Sequence, residues 1–277
     1  MPSDLHIHTT FSDGKYTPEE VVAASKKAGL KYMAITDHDT VDGIRHLYEN
    51  GLFPCKGINI IPGIEFSAHD ETHEVHILGY NIDIYNGFLT DKLNDLTEAR
   101  WSRFSEMVEK VQELGYNITE TEVMSLAGDS KSISRSHVGR ILVKKGYFPS
   151  IREAFKALLN KGMPAYVPHF RLEVEDIIAI VKKAGGTPML AHPKLVQDDA
   201  LVEELCQRGI EGIEAFYPLH GPEDVSRYMD FAKKYNLRVV GGSDFHGYPT
   251  REPQEIGIFT IDDKWAEPLY KPQKKLE

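Results

Sequence analysis

Nine residues constrain this chain more than any other feature. His6, His8, Asp13, His38, Glu65, His76, His192, Asp244 and His246 are all metal-ligand types, and almost all stand where a predicted strand ends. The segment Asp4-Leu5-His6-Ile7-His8 alternates, and residues two apart leave a strand on one face, so His6 and His8 form an imidazole pair. Residues 31–35 read as a second strand, and Thr36-Asp37-His38-Asp39 follows it, where a barrel strand delivers side chains to a site. Residues 59–66 and 74–80 are further apolar runs, each carrying one ligand type, Glu65 or His76, amid residues that otherwise suit a core. Residues 187–193 and 238–247 repeat the arrangement with His192, Asp244 and His246. Burying so many ionisable groups without a metal would be costly, so the set points to metal binding.

The 277 residues suffice for one substantial core, and strands alternating with helical stretches argue for an α/β fold. Thr17-Pro18-Glu19-Glu20 combines an N-cap, a proline at the first helical position and a glutamate three after the cap, which predicts a helix running to Gly29. A second helix is predicted over 41–50. From 91 to 172 strand signals give way to helical periodicity over 93–114, 120–126, 136–145 and 151–159. Helix–strand alternation then resumes with helices over 174–184, 200–208 and 222–235. Strands starting near 4, 31, 59, 75, 187, 210 and 237 predict a closed but distorted (β/α)7 barrel of residues 1–90 and 173–277. A helical insertion, 91–172, separates its fourth and fifth strands.

A net charge of −10 disfavours gripping long nucleic acid by surface charge, although bound divalent cations would leave the site positive enough for small phosphorylated substrates. Two distant cysteines, Cys55 and Cys206, exclude a disulfide framework and zinc-finger spacing, so the reducing cytoplasm is the expected location. The chain starts on a strand and holds no run of about 18 apolar residues, so neither an export signal nor a membrane span is expected. Leu276-Glu277 reads as a cloning remnant, which makes the tail beyond Trp265 uninformative for the fold. Oligomeric state is left open.

The motifs Asp4-Leu5-His6-Ile7-His8, Thr36-Asp37-His38-Asp39, Gly63-Ile64-Glu65-Phe66-Ser67, Val75-His76-Ile77-Leu78-Gly79-Tyr80, Ala191-His192-Pro193 and Gly242-Ser243-Asp244-Phe245-His246-Gly247 together resemble the PHP family, named for polymerase and histidinol phosphatase. They span nearly the whole chain. The resemblance is to stand-alone phosphoesterases with a helical insertion, which act on nucleotides, oligonucleotides or small cyclic phosphates. It implies a trinuclear metal site: His6, His8, Glu65 and Asp244 on one ion, Glu65 bridging to a second held by His76 and His192, and Asp13, His38 and His246 on a third. Imidazole and carboxylate ligands without cysteine suit manganese, iron, zinc or cobalt. The implied chemistry is phosphoester hydrolysis by metal-activated water. Within Ser134-Arg135-Ser136-His137-Val138, Arg135 and His137 resemble substrate-contacting residues, and His169 and His220 are weaker candidates. The catalytic candidates are Asp13, His38, Arg135, His137 and His220.

Other residues carry plainer expectations. His46 and His69 read as surface or satisfied histidines, and His73 as a loop residue. Asp37 and Asp39 are placed as groups that orient neighbours or cap a helix. Phe104, Met107, Val111 and Leu114 recur at helical spacing as a packing stripe, and Lys26-Lys27, Lys144-Lys145 and Lys233-Lys234 suit helix C-termini. The leading function is hydrolysis of a nucleotide, as a monophosphate or 3′,5′-bisphosphate, or of a short oligonucleotide. Histidinol phosphate and a cyclic phosphodiester are alternative substrates. A non-catalytic metal-binding module and a metal-dependent amide hydrolase are alternative classes.

Overall fold

The computed structural model describes residues 1–272 except 71–72, 129, 131, 169–171 and 250–251. His169 and the side chain of His69 fall outside the described part. Strand β1 (Pro2–Ile7) pairs in parallel with β2 (Tyr32–Ile35) across helix α1 (Pro18–Lys27), and β2 pairs in parallel with β3 (Asn59–Asp70) across α2 (Asp42–Glu49). The predicted capping box forms at α1: Thr17 Oγ1 accepts from Glu20 N–H, and the Glu20 carboxylate accepts from Thr17 N–H at 2.9 Å.

Strand β4 (His73–Tyr80) departs from simple β/α alternation. It runs antiparallel to β3 and to β6 (Thr187–Leu190), because β3 ends at Asp70 and a parallel crossover needs a dozen or more residues. Strands β7 (Gly212–Phe216) and β8 (Arg238–Gly241) continue the sheet in parallel from β6, giving the order β8-β7-β6-β4-β3-β2-β1. The segment after β8 then lies along β1: His8 N–H donates to Phe245 O at 3.0 Å, and Ile7 and Phe245 form a parallel bridge. The sheet is thereby nearly closed into a distorted barrel, with α7 (Val174–Lys183), α8 (Asp199–Leu205) and α9 (Pro222–Tyr235) on its outside.

Two short strands were not foreseen. β5 (Leu172–Glu173) pairs with β3, and β9 (Ile261–Asp262) pairs antiparallel with β1. The tail therefore does carry fold information: helix α10 (Asp263–Ala266) follows β9, and Ala266 and Leu269 are buried with Leu5 and Tyr80. The apolar residues at these positions close off one side of the barrel core.

Between β4 and β5 lie α3 (Gly87–Glu113), α4 (Glu120–Ala127), α5 (Arg135–Lys144) and α6 (Ile151–Ala154), the last continuing into a π-helical turn over Phe155–Leu159. Helix α3 is longer than its periodicity predicts and serves two cores. Leu89, Leu93 and Leu96 pack with the barrel, whereas Phe104, Met107 and Val111 pack in a separate cluster with Val138 and Leu142. Leu114 leaves the predicted stripe: it caps α3 and is exposed. Among the described residues no helix is long and apolar enough to cross a membrane.

Candidate metal centre

The nine ligand-type residues come from both ends of the chain to one rim of the barrel. Glu65, fully buried in β3, is their hub. Its Oε2 lies 3.3 Å from His6 Nε2, 3.3 Å from His8 Nε2 and 3.0 Å from His38 Nδ1. Its Oε1 lies 2.8 Å from His76 Nδ1 and 2.9 Å from His192 Nε2. Asp244 Oδ1 is 3.1 Å from His8 Nε2, and Asp13 Oδ1 is 3.0 Å from His246 Nε2. His76 reaches this rim from the N-terminal half of β4 because that strand is reversed, not because a strand ends there.

Three sets of facing donor atoms emerge: His6, His8, Glu65 and Asp244; His8, Asp13, His38 and His246; and His38, Glu65 and His76. The first matches the expected grouping. In the others His8 and His38 sit between groups, and His192 approaches through Glu65. The donors fit divalent metal chemistry: His6 Nε2, His8 Nε2, Asp13 Oδ1, His38 Nδ1 and Glu65 Oε2 are buried atoms without a hydrogen bond, aimed at one another.

The surroundings hold these side chains in place. His6 Nδ1–H donates to Glu214 Oε1 at 3.1 Å, which leaves Nε2 facing the cluster, and Glu214 Oε2 accepts His192 N–H at 2.7 Å. Tyr217 O–H donates to Asp244 Oδ2 at 3.1 Å. Asp37 accepts from Thr9 N–H, Thr9 O–H and Ser12 O–H, fastening the loop that carries Asp13, and Asp39 accepts from Ser67 N–H and from Arg100. Both aspartates thus orient neighbours, as expected. Asp39, His192 and Asp244 adopt left-handed backbone, with φ of 50°, 23° and 52°, a strained conformation that concentrates at functional sites.

Burial pushes the Glu65 carboxyl up, but the charges of His38, His6 and His76 outweigh it and hold the group well below its usual range. Burial likewise opposes protonation of His8 and His76, yet the facing carboxylates raise them to about 9 and about 10. Without metal these imidazoles therefore carry protons at neutral pH, and a metal must displace them. Proton release on adding Mn²⁺ at pH 7.5 is the expected result. Apparent affinity should rise with pH and level off near pH 9 to 10, as a pH series of metal titrations would read.

A cavity of about 190 Å³ opens on the cluster, and Asp13, His38 and His76 share its wall with Arg100, Arg103 and Arg135. Arg135 is therefore placed where the sequence put it. His137 is placed otherwise: it is buried, burial lowers it to about 4, and its Nδ1 accepts Ser134 N–H at 3.1 Å, capping α5. His220 Nδ1–H donates to Ala215 O at 2.9 Å, and its ring packs 5.2 Å from that of Tyr217, behind the cluster. His46 pairs with Glu19 at 2.6 Å, and His73 stands 3.8 Å from Asp198, in β4 rather than a loop.

Glu214, Arg100, Arg103 and Tyr217 are the site residues that the sequence reading missed. Glu214 left a signal, an acid in the middle of the apolar strand Gly212-Ile213-Glu214-Ala215-Phe216. Replacing it with Gln should lower metal affinity about 10- to 100-fold, measured by Mn²⁺ titration, because it only orients His6 and His192.

The family model for the PHP domain matches residues 4–174, more than half of the chain. The chain belongs to the PHP domain family. Its relatives include the 5′-3′ exoribonuclease Rnm of Escherichia coli, 33% identical across 88% of this chain and 84% of that protein. A phosphoribosyl 1,2-cyclic phosphate 1,2-diphosphodiesterase of Eggerthella lenta is 31% identical across 91% and 97%. A 3′,5′-nucleoside bisphosphate phosphatase of Chromobacterium violaceum is 30% identical across 92% and 90%. A crystal structure from Bifidobacterium adolescentis, provisionally named a metal-dependent phosphoesterase, superposes with a TM-score of 0.86 at 29% identity, covering 96% of this chain and 94% of that one. The named activities share one chemistry, phosphoester hydrolysis, and the PHP barrel supplies the fold.

Proposed function

We propose that this PHP-family phosphoesterase removes phosphate from a nucleotide, either a monophosphate or 3′,5′-bisphosphate, or cleaves a short oligonucleotide. One observation carries the reading: the ligand cluster opens directly onto an arginine-walled cavity that shares Asp13, His38 and His76 with it. Three divalent ions, manganese, iron or zinc, are assigned to the nine residues. His6, His8, Glu65 and Asp244 would hold the first, Glu65, His76 and His192 the second, and Asp13, His38 and His246 the third. Bound there, such ions supply Lewis acidity toward phosphorus and lower the pKa of water.

The protein's own groups do the rest. Arg135, with Arg100 and Arg103 beside it, binds and orients the phosphate. Helices 91–172 act as the cap that brings these cations over the barrel rim. Asp13 and His38 stand in both the ligand cluster and the cavity wall, so they border the reacting phosphate. His137 caps the helix that carries Arg135, and His220 steadies Tyr217 against Asp244; both position other groups. With its cysteines free, the enzyme is assigned to the cytoplasm.

Phosphate release should be measured from Mn²⁺-reconstituted protein offered nucleoside monophosphates, 3′,5′-bisphosphates, short oligonucleotides, cyclic phosphates, histidinol phosphate and an amide control. Turnover of a nucleotide is expected. Arg135→Ala should raise KM about tenfold or more for that substrate, with a smaller fall in kcat. Turnover of the amide alone would overturn the reading, and equal kinetics in Arg135→Ala would remove that residue from the site.

A further inference from the structure

A second, larger cavity of about 760 Å³ borders the first and shares Asp13, Ser136 and Phe155 with it. Its character differs from the rest of the molecule. The chain carries 42 acidic against 32 basic residues, yet Arg140, Arg152 and Lys156 line this cavity and Asp13 is its one carboxylate. Arg140 is already committed, since its guanidinium donates to Asp13 O at 3.1 Å and to Tyr248 O–H, tying α5 to the metal-ligand loops. Arg152 and Lys156 are not. Both are exposed, and neither forms an ion pair with any described residue.

Local structure sets these two cations beside the route from the metal cluster. Arg152 lies in α6, and Lys156 lies in the π-helical turn that follows it. Such turns are uncommon and recur at functional sites, because the extra residue re-aims the side chains around it. Phe155, in the same turn, lines both cavities, while Tyr248 offers a second aromatic face in the larger one. Two uncompensated cations beside aromatic faces and the hydroxyl of Ser150 suit an anion joined to a flat ring system.

We propose that Arg152 and Lys156 form a second anion subsite, which takes a further phosphate of the substrate while Arg135 holds the one being released. The inference rests on the phosphoesterase reading of the neighbouring cluster, and it narrows the substrate to a nucleotide with two phosphates on opposite sides of its sugar, or to a dinucleotide with a 5′-phosphate. A nucleoside 5′-monophosphate leaves the subsite empty. Free inorganic phosphate shares the chemistry but lacks the tether to the first site.

The test is calorimetric binding to the whole protein without added metal, so it reads the subsite apart from turnover. Adenosine 3′,5′-bisphosphate, adenosine 5′-monophosphate and inorganic phosphate are titrated into the wild type and into an Arg152→Ala, Lys156→Ala double variant. The bisphosphate should bind wild type at least tenfold more tightly than the monophosphate, and the double variant should lose most of that ratio. Raising salt should weaken the bisphosphate more than the monophosphate. An equal ratio in wild type and variant overturns the subsite, as does a tenfold loss of inorganic phosphate binding with no change in the ratio, which would mark a product site. Phosphate release from the same nucleotides is run in parallel: its absence would sink the phosphoesterase reading while the binding ratio still judged the subsite.

Discussion

Glu65→Gln should abolish turnover, lowering phosphate release by about 10³-fold or more, because residues that only orient metal ligands already cost 10- to 100-fold. Glu65 is the one carboxylate that all of His6, His8, His38, His76 and His192 approach within 3.3 Å. Glutamine keeps the shape, but it removes the negative charge and turns one oxygen into an amide donor pointing at imidazole nitrogens. Metal content by mass spectrometry should fall with activity. Since the substitution also relieves a buried charge, the metal-free fold should survive, and an unchanged circular dichroism spectrum would show it. Retention of full metal content and turnover would remove Glu65 from the centre of the account.

Gly242→Ala should be the most damaging change outside the ligands. The chain leaving β8 passes so close to β1 that a Cβ on Gly242 would lie 2.9 Å from His6 Cα and nearer still to His6 N and Cβ. The obstacle is backbone, which cannot rotate away as a flexible side chain would. The contact also closes the barrel: His8 N–H to Phe245 O and Phe245 N–H to His6 O, at 3.0 and 3.3 Å, join the two ends of the sheet. Prying them apart should destabilise the protein by about 3 kcal/mol or more, at the upper end of overpacking costs. It would also separate His6 and His8 from Asp244. Urea unfolding and Mn²⁺ titration should therefore report the same substitution, and a variant with wild-type midpoint and wild-type metal affinity would contradict this closure.

What the sequence revealed and what it hid divide along a physical line. Period-two alternation placed His6 and His8 on one face, and the Thr17-Pro18-Glu19-Glu20 signal located α1 with its capping box, because both patterns are local. The reversal of β4 follows from the short link after β3, a local fact that the regular ligand repeat obscured. Pairings across long separations left no such trace. Glu214 meets His6 from 208 residues away, and Arg100 meets Asp39 from 61. Arg100 and Arg103 lie on a helix whose other residues pack as an ordinary stripe, so nothing in the periodicity distinguished them from solvated arginines. His137 illustrates the opposite trap: the spacing that made it look like a substrate contact is that of a helix cap, Ser134 with its third residue onward. The nine ligand types were legible because so many buried imidazoles and carboxylates have few other uses, whereas the division of donors among ions depends on distances that no motif encodes.

The most direct test of the central claim is a Mn²⁺ titration of metal-stripped protein in which bound metal and phosphate release from a nucleotide are read on the same samples. The account predicts turnover that is negligible without metal, rises with occupancy and saturates at about three ions per chain, as a multinuclear phosphoesterase site requires. Full metal occupancy with no phosphate released, or release that persists undiminished in the presence of a chelator, would contradict it.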